Sequence, residues 1–267
     1  MKYIIDNDLH IHSHLSLCSQ DNEQTCVNIM NYAKHNNLKT ICITDHFWDS
    51  AVKKDFTWDW YDVQDFEHIS KILPLPQSKN VRFLFGCETE LLANGLLGIS
   101  KQKFDAFNFI LIPITHFHLK DKVLFPEQME SPKTRADAWV KRFDIVLNMD
   151  LPFYKIGLAH LTSHLIAPTR EEYLESLRLI PENEMHRLFN KASKLGVGIE
   201  LNGSDMGYSE QEKDIVLRPY KIAKEYECKF YLGSDAHHLQ GLAKGRLNFI
   251  KAIDDLNLKE SDKFIIK

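Results

Sequence analysis

Apolar, β-branched or aromatic runs alternate along the chain with segments of helical periodicity. This alternation indicates βαβ units and a parallel sheet. The predicted strands cover 3–12, 40–44, 81–88, 107–115, 155–160, 197–202 and 229–234. The predicted helices cover 24–36, 61–73, 132–149, 171–195 with a break near Pro181, 209–227 and 241–254.

The order of these elements predicts an α/β barrel. Seven strands follow one another without a repeat, a low-complexity tract or a Gly/Ser linker, so we expect residues 1–267 to form a single domain. A closed or nearly closed barrel is expected, because eight strands are standard in barrels of this type. A doubly wound open sheet is the alternative. Such a sheet normally has a glycine-rich first turn that holds a nucleotide, whereas the first strand here ends in histidines.

Composition narrows the class of protein. The 267 residues are 44% hydrophobic and 26% charged, with a net charge of 33 − 37 = −4, which is typical of a globular protein. The mild acidity argues against a nucleic-acid partner, and no run approaches the roughly 20 apolar residues of a membrane span. The N-terminal residues lack the apolar core of a signal peptide. Five scattered cysteines without a Cys-x-x-Cys pair suggest a cytoplasmic protein without disulfides.

Potential metal ligands follow almost every predicted strand. The chain has 13 histidines, and histidine is the commonest metal ligand. His10 and His12 alternate along the first strand, so they share one face with Cα atoms about 6–7 Å apart. The C-terminal ends of barrel strands open on one face of the molecule. The ligand candidates at these ends are His10, His12, His46, Glu88, His116, His160, Asp235 and His237.

Each of these residues has an ordinary structural explanation when it is taken alone. An Asp-His pair after a strand is usually a turn or a helix cap, and Glu88 alone could form a salt bridge. However, core packing gives no reason to place His, Asp or Glu at the same end of six of seven strands. The pattern therefore predicts a metal site at the C-terminal ends of the strands.

The number of candidate ligands indicates more than one ion. A catalytic zinc uses about three protein ligands plus water, so eight candidates predict two or three divalent transition-metal ions, with Zn, Mn or Fe suited to imidazole and carboxylate. Ions about 3.5–4 Å apart lower the pKa of a shared water and clamp the oxygens of an in-line displacement. Hydrolysis is the chemistry that follows most directly, with phosphate esters first.

Two groups of residues outside this set stay open to more than one interpretation. The aromatic loop 47–60 is either a lid beside a ligand or a segment packed onto the barrel rim. The remaining histidines lie in helical patterns or in loops, where we expect surface positions, although those near the candidate ligands could contact substrate. These residues are His14, His35, His68, His118, His164, His186 and His238.

The strand-end motifs resemble those of the PHP (polymerase and histidinol phosphatase) superfamily, in family order and over residues 8–237. The chain looks like a stand-alone, histidinol-phosphatase-like member. The resemblance implies a distorted (β/α)7 TIM-like barrel with a trinuclear metal centre. The motifs are Asp8-Leu9-His10-Ile11-His12-Ser13, Ile43-Thr44-Asp45-His46, Gly86-Cys87-Glu88, Thr115-His116, Ala159-His160, Glu200-Leu201-Asn202-Gly203 and Gly233-Ser234-Asp235-Ala236-His237.

The resemblance also implies a distribution of the ligands among three ions. His10, His12, Glu88 and Asp235 would hold the first ion, and Glu88 would bridge to a second ion held by His116 and His160. His46 and His237 would hold the third ion with one more residue, for which Asp21 is preferred to Cys18 and His14. Glu88, Asp235 and His237 are the residues expected to take part in catalysis.

The implied reaction is attack of a metal-bridging hydroxide on phosphorus. The expected partner is a small phosphorylated substrate, plausibly L-histidinol phosphate. An arginine fork suits phosphate oxygens, and Arg170 and Arg135 are the candidates, although either could be an ordinary helix-surface arginine. Two other functions stay open, namely hydrolysis of a phosphodiester or an amide C–N bond, and metal binding without catalysis.

Overall fold

A computed structural model describes residues 1–19 and 21–266. Its main feature is one parallel sheet of eight strands in this described part of the chain. The spatial order of the main path is β1-β2-β4-β5-β6-β7-β8, with the short β3 paired to β4. The strands are β1 Asn7–Ile11, β2 Thr40–Ile43, β3 His46–Phe47, β4 Arg82–Thr89, β5 Phe109–Pro113, β6 Ile156–Ala159, β7 Gly198–Asn202 and β8 Lys229–Gly233.

Contacts between the first and last strands close this sheet into a barrel. The amide of Asp235 donates to the carbonyl of His10 (2.7 Å), and the amide of His12 donates to the carbonyl of Ala236 (3.1 Å). Seven principal strands with helices between them confirm the expected α/β, TIM-like barrel of the distorted (β/α)7 kind. The extra strand β3 was not predicted, because two residues are too few to show a periodic pattern.

The helices lie between the strands, in the positions that the sequence pattern gives for the longer ones. None of the helices in residues 1–19 and 21–266 is long and apolar enough to cross a membrane. The helices are α1 Cys26–His35, α2 Asp59–Asp62, α3 Phe66–Ile69, α4 Pro132–Asn148, α5 Arg170–Leu179, α6 Glu182–Leu195, α7 Lys213–Val216, α8 Arg218–Glu225 and α9 Leu239–Asp255.

Two predicted helices are divided in the structure. The segment 61–73 contains the end of α2, then α3 and a 3-10 turn, because Asp65 accepts a hydrogen bond from the His68 amide (2.9 Å) and starts a new helix. The segment 209–227 is divided into α7 and α8, and Pro219 is near the first turn of α8, where a residue without an N–H is tolerated. The predicted break near Pro181 is confirmed between α5 and α6.

An aromatic layer fills the barrel near the amino ends of its strands. Phe109 and Tyr231 pack inside the barrel with ring centroids 5.1 Å apart. Gly157 lies against both rings, since a Cβ there would be 2.5 Å from Phe109 and 2.6 Å from Tyr231. Phe264 and Ile266, close to the C-terminus, complete this layer. The amino end of the barrel is therefore filled, and the polar side chains lie towards the opposite end.

Candidate metal centre

The candidate centre is formed by buried and half-buried His, Glu and Asp side chains from the C-terminal ends of the strands. His10 and His12 come from β1 and from the residue just after it, and their Nε2 atoms lie 3.1 Å apart. The structure brings all eight strand-end candidates into one cluster. The members of this cluster are His10, His12, His46, Glu88, His116, His160, Asp235 and His237.

Glu88, on β4, lies in the middle of the cluster. Both of its carboxylate oxygens are buried and have no hydrogen-bond partner. Oε2 is 3.1 Å from His46 Nδ1 and 3.4 Å from His12 Nε2, while Oε1 is 3.6 Å from His116 Nε2 and 3.7 Å from His160 Nε2. A buried carboxylate without a partner is costly. Its two oxygens thus face two different sets of imidazoles, as a carboxylate that bridges two ions requires.

Asp235 lies at the side of the cluster, after β8. Its Oδ1 is 3.1 Å from His12 Nε2 and 3.4 Å from His10 Nε2, and its Oδ2 is 3.5 Å from His160 Nε2. Asp235 and His160 both have left-handed backbone conformations, with φ of 53° and 56°. This conformation is unfavourable for residues other than glycine, and such strain is concentrated at functional sites. In both cases it occurs just where the chain leaves a strand.

The described residues contain four groups of donor atoms that lie close enough together to hold an ion, and three of these groups share residues with the three sites that the family resemblance implies. Within each group, one donor atom from every residue lies within 4.8 Å of the others. Nitrogen, carboxylate and thiol donors at this spacing fit zinc or iron, so the residues present fit metal ions. These three groups are His10 with His12 and Glu88, then Glu88 with His116 and His160, and His12 with Cys18, His46 and His237, while the fourth group is His10 with His160 and Glu200.

Hydrogen bonds to the outer nitrogen orient several of these imidazoles. His10 Nδ1 donates to Glu200 Oε1 (2.6 Å), and His116 Nδ1 donates to Glu90 Oε2 (2.8 Å). His237 Nδ1 donates to the carbonyl of Asp235 (2.8 Å). Because these acceptors fix the proton on Nδ1, each Nε2 is free to bind a metal.

The sequence analysis did not predict that Glu200 and Glu90 orient the imidazoles of His10 and His116. Glu200 faces the barrel interior on β7, two residues before Asn202, and alternation along that strand could have indicated it. Glu90 lies two residues after Glu88, which is a similar signal. Asp205, 3.7 Å from His160 Nδ1, lies in the loop after β7, where no periodic pattern applies.

Gly233 permits the close approach of Glu200 to His10. A Cβ at this position would overlap Glu200 Oε1 and would lie 2.7 Å from the His10 Cβ. Both neighbours are fully buried, so neither can move aside easily. The glycine is therefore part of the centre, although it has no donor atom of its own.

Charges within the cluster shift the pKa values of its members in both directions. Against the effect of burial, Glu200 and Glu88 raise the pKa of His10 well above its usual value, and Asp205 with Asp235 raises that of His160 to about 10, so a bound ion would displace a proton from these imidazoles. Burial alone would raise the pKa of Glu88, but neighbouring imidazoles, His10 first, lower it well below its usual range. Asp235 behaves in the same way. Burial and the nearby His12 lower the pKa of His237 to about 4. Carboxylates that stay ionised and an imidazole that stays neutral are the forms that bind metals.

The structure does not bring Asp21 to this cluster. Its carboxylate accepts hydrogen bonds from the amides of Glu23 (2.9 Å) and Leu239 (3.3 Å), so it caps local turns and the first turn of α9. Cys18 contributes the fourth donor of the third group instead. His14 is exposed and is outside the donor groups found in the described part of the chain.

The two candidate arginines lie in different surroundings. Arg170 donates two hydrogen bonds of 2.7 Å to Glu212 and lies over the Tyr173 ring, as a helix-surface arginine does. Arg135 is buried on α4 and donates to Glu172 (3.1 Å). Its side chain lines a cavity of about 340 Å³ that adjoins the metal centre's own cavity. Neither arginine lines the cavity over the metal centre.

A cavity of about 360 Å³ opens over the ligands. Trp58, Trp60 and Tyr61 form part of its wall, while Trp48 is buried and packs against Trp58 and Tyr61. The aromatic loop therefore packs on the barrel rim and also borders the cavity. His118 lines the same cavity, and burial with the neighbouring His116 lowers the pKa of His118 to about 4.

The family is settled by a match that covers most of the barrel. The family model described as the PHP domain matches residues 8–204. The chain belongs to this family. The matched part of this PHP domain contains His10, His12, His46, Glu88, His116 and His160, and it ends before Asp235 and His237. No curated protein matches the chain.

Solved structures show the same fold at low sequence identity. One is histidinol phosphate phosphatase from Lactococcus lactis, in complex with zinc, L-histidinol and phosphate, with a TM-score of 0.58 and 15% identity over 92% of this chain and 93% of that one. Another is a putative histidinol phosphatase from Listeria monocytogenes, with a TM-score of 0.58 and 16% identity over 91% and 99% of the two chains. At this identity the likeness shows a common fold.

Proposed function

We propose that this PHP domain is a metal-dependent phosphoesterase that hydrolyses a small phosphate monoester. The observation that carries the proposal is the position of Glu88. Its two buried, unpartnered oxygens face two sets of imidazoles, an arrangement that suits a pair of bridged ions beside an open cavity. The family supports the same chemistry.

The ligands would be divided as the three donor groups indicate. His10, His12, Glu88 and Asp235 would hold one ion, and Glu88, His116 and His160 a second. The third would be held by His46 and His237 with Cys18, close to His12. When bound, ions of the Zn, Mn or Fe type supply a water of lowered pKa and neutralise the phosphate charge.

The protein's own residues would position the ester and limit access of water. Trp58, Trp60 and Tyr61 give the cavity an apolar wall that can cover the organic part of the substrate. His118 is neutral near pH 7, since its pKa is about 4, and its N–H can donate to a phosphate oxygen without adding charge. Glu200 and Glu90 keep His10 and His116 oriented while the ester binds.

L-Histidinol phosphate is the first substrate to test. The Lactococcus lactis structure contains L-histidinol and phosphate, which are the two products that its hydrolysis would release. Because that protein is 15% identical to this chain, the panel extends to other monoesters.

The experiment is a phosphate-release assay on purified protein loaded separately with Zn, Mn or Fe. L-Histidinol phosphate, p-nitrophenyl phosphate and simple alkyl phosphates test the monoesterase, while bis-p-nitrophenyl phosphate and a cyclic amide test the other hydrolase reactions. We expect turnover of at least one monoester above the diester and the amide. A diester or amide preferred over every monoester, or no turnover with any metal, would contradict the proposal.

The variant Glu88→Gln tests the bridging role of Glu88. It removes one charge from the bridge, and we expect activity to fall by more than about 100-fold, because even residues that only orient metal ligands are worth 10–100-fold. Glu67→Gln, an exposed carboxylate on α3, is the control and should keep the wild-type rate.

A further inference from the structure

A second cavity adjoins the cavity over the metal centre. It has a volume of about 340 Å³ and shares His118 and Leu165 with the first. The two cavities are therefore neighbours that have these two residues as a common wall. The function of this second cavity is not accounted for by the metal centre, to which it contributes no ligand.

The second cavity combines apolar walls with positive charge. Phe117, Met129 and Ile166 provide the apolar surface, and Arg135 and Lys120 provide the charge. Among residues 1–19 and 21–266, no carboxylate lines this cavity. An apolar pocket with a few polar groups of one sign is suited to a ligand of the opposite sign.

Arg135 is the buried charged residue of this cavity. Its side chain is only 9% exposed. In the described part of the chain its guanidinium has one hydrogen-bond partner, Glu172 Oε2 at 3.1 Å. A guanidinium has five N–H donors in a fixed fork. Glu172 therefore engages one nitrogen of a guanidinium that lines the cavity, and the described residues offer no hydrogen-bond partner to its other donors.

Among its described lining residues, the cavity over the metal centre has no free carboxylate that could pair with a positively charged ligand. The only carboxylates among its described lining residues are Glu88 and Asp235, and both belong to the metal centre. An ammonium group on the organic part of a substrate would thus be desolvated without a free acceptor, which is unfavourable.

We propose that the cavity around Arg135 binds an anionic group, a carboxylate or a second phosphate, at the far end of the substrate's organic part. This inference rests on the proposed phosphomonoesterase function and concerns its specificity. It predicts that esters of hydroxy acids, or bisphosphates, are better substrates than esters of amino alcohols such as L-histidinol. Arg135 then recognises the far end of the substrate instead of the phosphate that is cleaved.

The test compares alkyl phosphates that differ only at the far end of the chain. The metal-loaded protein is assayed with ω-carboxyalkyl, ω-aminoalkyl and plain alkyl phosphates of matched length, over a series of lengths, and with the α,ω-bisphosphates. We expect kcat/KM for the carboxylate or the bisphosphate to exceed that for the ammonium ester by about 10- to 100-fold, the range of a charged hydrogen bond. The better of these two anionic arms identifies the group.

Arg135→Met is the decisive variant. It should remove the preference by raising KM for the anionic esters much more than KM for the plain alkyl phosphate. Arg135→Lys should keep part of the preference, since it keeps the charge and loses the fork. Arg187→Met, which changes an exposed arginine on α6, should leave the preference intact. Thermal unfolding confirms that each variant is folded.

Two outcomes would overturn the inference. One is a preference for the ammonium ester, and the other is an anion preference that Arg135→Met leaves unchanged. Absence of turnover with all esters, the plain alkyl phosphate included, would contradict the proposed function instead. In that case, calorimetric binding of ω-carboxyalkyl and ω-aminoalkyl phosphonates to the metal-loaded protein tests the subsite directly, with the same variants and the same expected order.

Discussion

The approach of Glu200 to His10 depends on the hydrogen atom of Gly233. An added methyl group would overlap the Glu200 carboxylate and press on the His10 side chain, both of which are buried. A methyl group added at Gly233 would therefore displace His10, a candidate metal ligand, and Glu200, the residue that orients it.

Gly233→Ala should therefore lower metal affinity by about 10- to 100-fold, the usual effect of losing a residue that orients a ligand. The measurement is metal content after dialysis against graded chelator, together with a urea unfolding curve. Gly245→Ala is the matched control. A Cβ there would have its nearest neighbours at 3.5 Å, and alanine suits the interior of α9. Equal metal affinity for the two variants would contradict the role given to Gly233.

Cys18 is the second residue whose exact placement has a chemical consequence. Burial raises the pKa of the Cys18 thiol to about 12, so an ion would have to displace its proton, and the thiolate formed in this way favours thiophilic ions such as zinc. X-ray absorption of the zinc-loaded protein should show sulfur at about 2.3 Å in addition to nitrogen and oxygen at about 2.0–2.2 Å.

The sulfur signal should be lost in Cys18→Ser, with the zinc content reduced by the occupancy of the third site. Cys228→Ser, which changes a buried cysteine near β8, should keep the signal. If sulfur persists in Cys18→Ser, or is absent from the wild type, Cys18 is not a ligand.

Individual residues also show how much of the candidate site could be predicted from sequence alone. The clustering of the eight strand-end candidates was predictable, because a parallel barrel places all C-terminal strand ends on one face and alternation selects the inward side chains. The different positions of Cys18, inside the cluster, and Asp21, outside it, were not predictable in this way. Both lie in a loop, and the path of a loop depends on hydrogen bonds such as the one from the Leu239 amide to Asp21.

At the scale of the secondary structure elements, helix α4 supports the strand ends through Arg142. This buried arginine donates to the carbonyls of Leu91, Pro113, Ile114 and Val123, all of which lie at or after the ends of β4 and β5. It also donates to Glu90 (3.3 Å), the residue that orients His116. One side chain thus connects a helix, two strand ends and the metal centre.

Arg142→Met should destabilise the protein by about 3–5 kcal/mol, because it leaves buried carbonyls and the Glu90 carboxylate without their donor. Arg142→Lys should recover only part of this loss, since an ammonium cannot reproduce the fork. Urea unfolding measures both changes. Arg178→Met, on the exposed side of α5, should change the free energy of unfolding by less than about 1 kcal/mol. Similar values for Arg142→Met and Arg178→Met would exclude this supporting role.

Helix length separates the elements that sequence could predict from those that it could not. The long helices α4, α6 and α9 give a clear 3.6-residue pattern, and their predicted bounds are close to the observed ones. The four-residue helices α2 and α3 do not complete enough turns to produce such a pattern. Their boundaries depend on local caps such as Asp65.

At the scale of the whole molecule, the metal centre joins most of the barrel strands. Its candidate ligands come from β1, β3 and β4 and from the residues that follow β1, β5, β6 and β8. Ions that bind these donors only in the native arrangement stabilise the entire fold by mass action.

Removal of the ions by chelation should lower the melting temperature by about 5–10 °C. This estimate combines about 2.7 kcal/mol at a metal concentration of 100 times Kd with about 2–4 °C per kcal/mol for a domain of this size. Differential scanning calorimetry before chelation, after it and after zinc is restored measures the shift. Glu88→Gln should show a much smaller shift on chelation, whereas Glu67→Gln should match the wild type.

The barrel itself was predictable at this scale, because seven apolar strands alternating with helices have few other ways to be buried. The second cavity around Arg135 was not. It is formed by α4 and the loops after β5 and β6, and distances between such segments follow from packing that no local pattern encodes.

The filling of the amino end of the barrel bears on how the protein should be handled in the laboratory. Ile266 is only 5% exposed, and Phe264 contributes to the aromatic layer, whereas Met1 is 90% exposed. A purification tag or a fluorophore attached after Ile266 would therefore disturb the residues that fill the amino end of the barrel. Such a group is better attached at Met1. Immobilisation through Met1 leaves the cavity over the candidate ligands accessible to the solution.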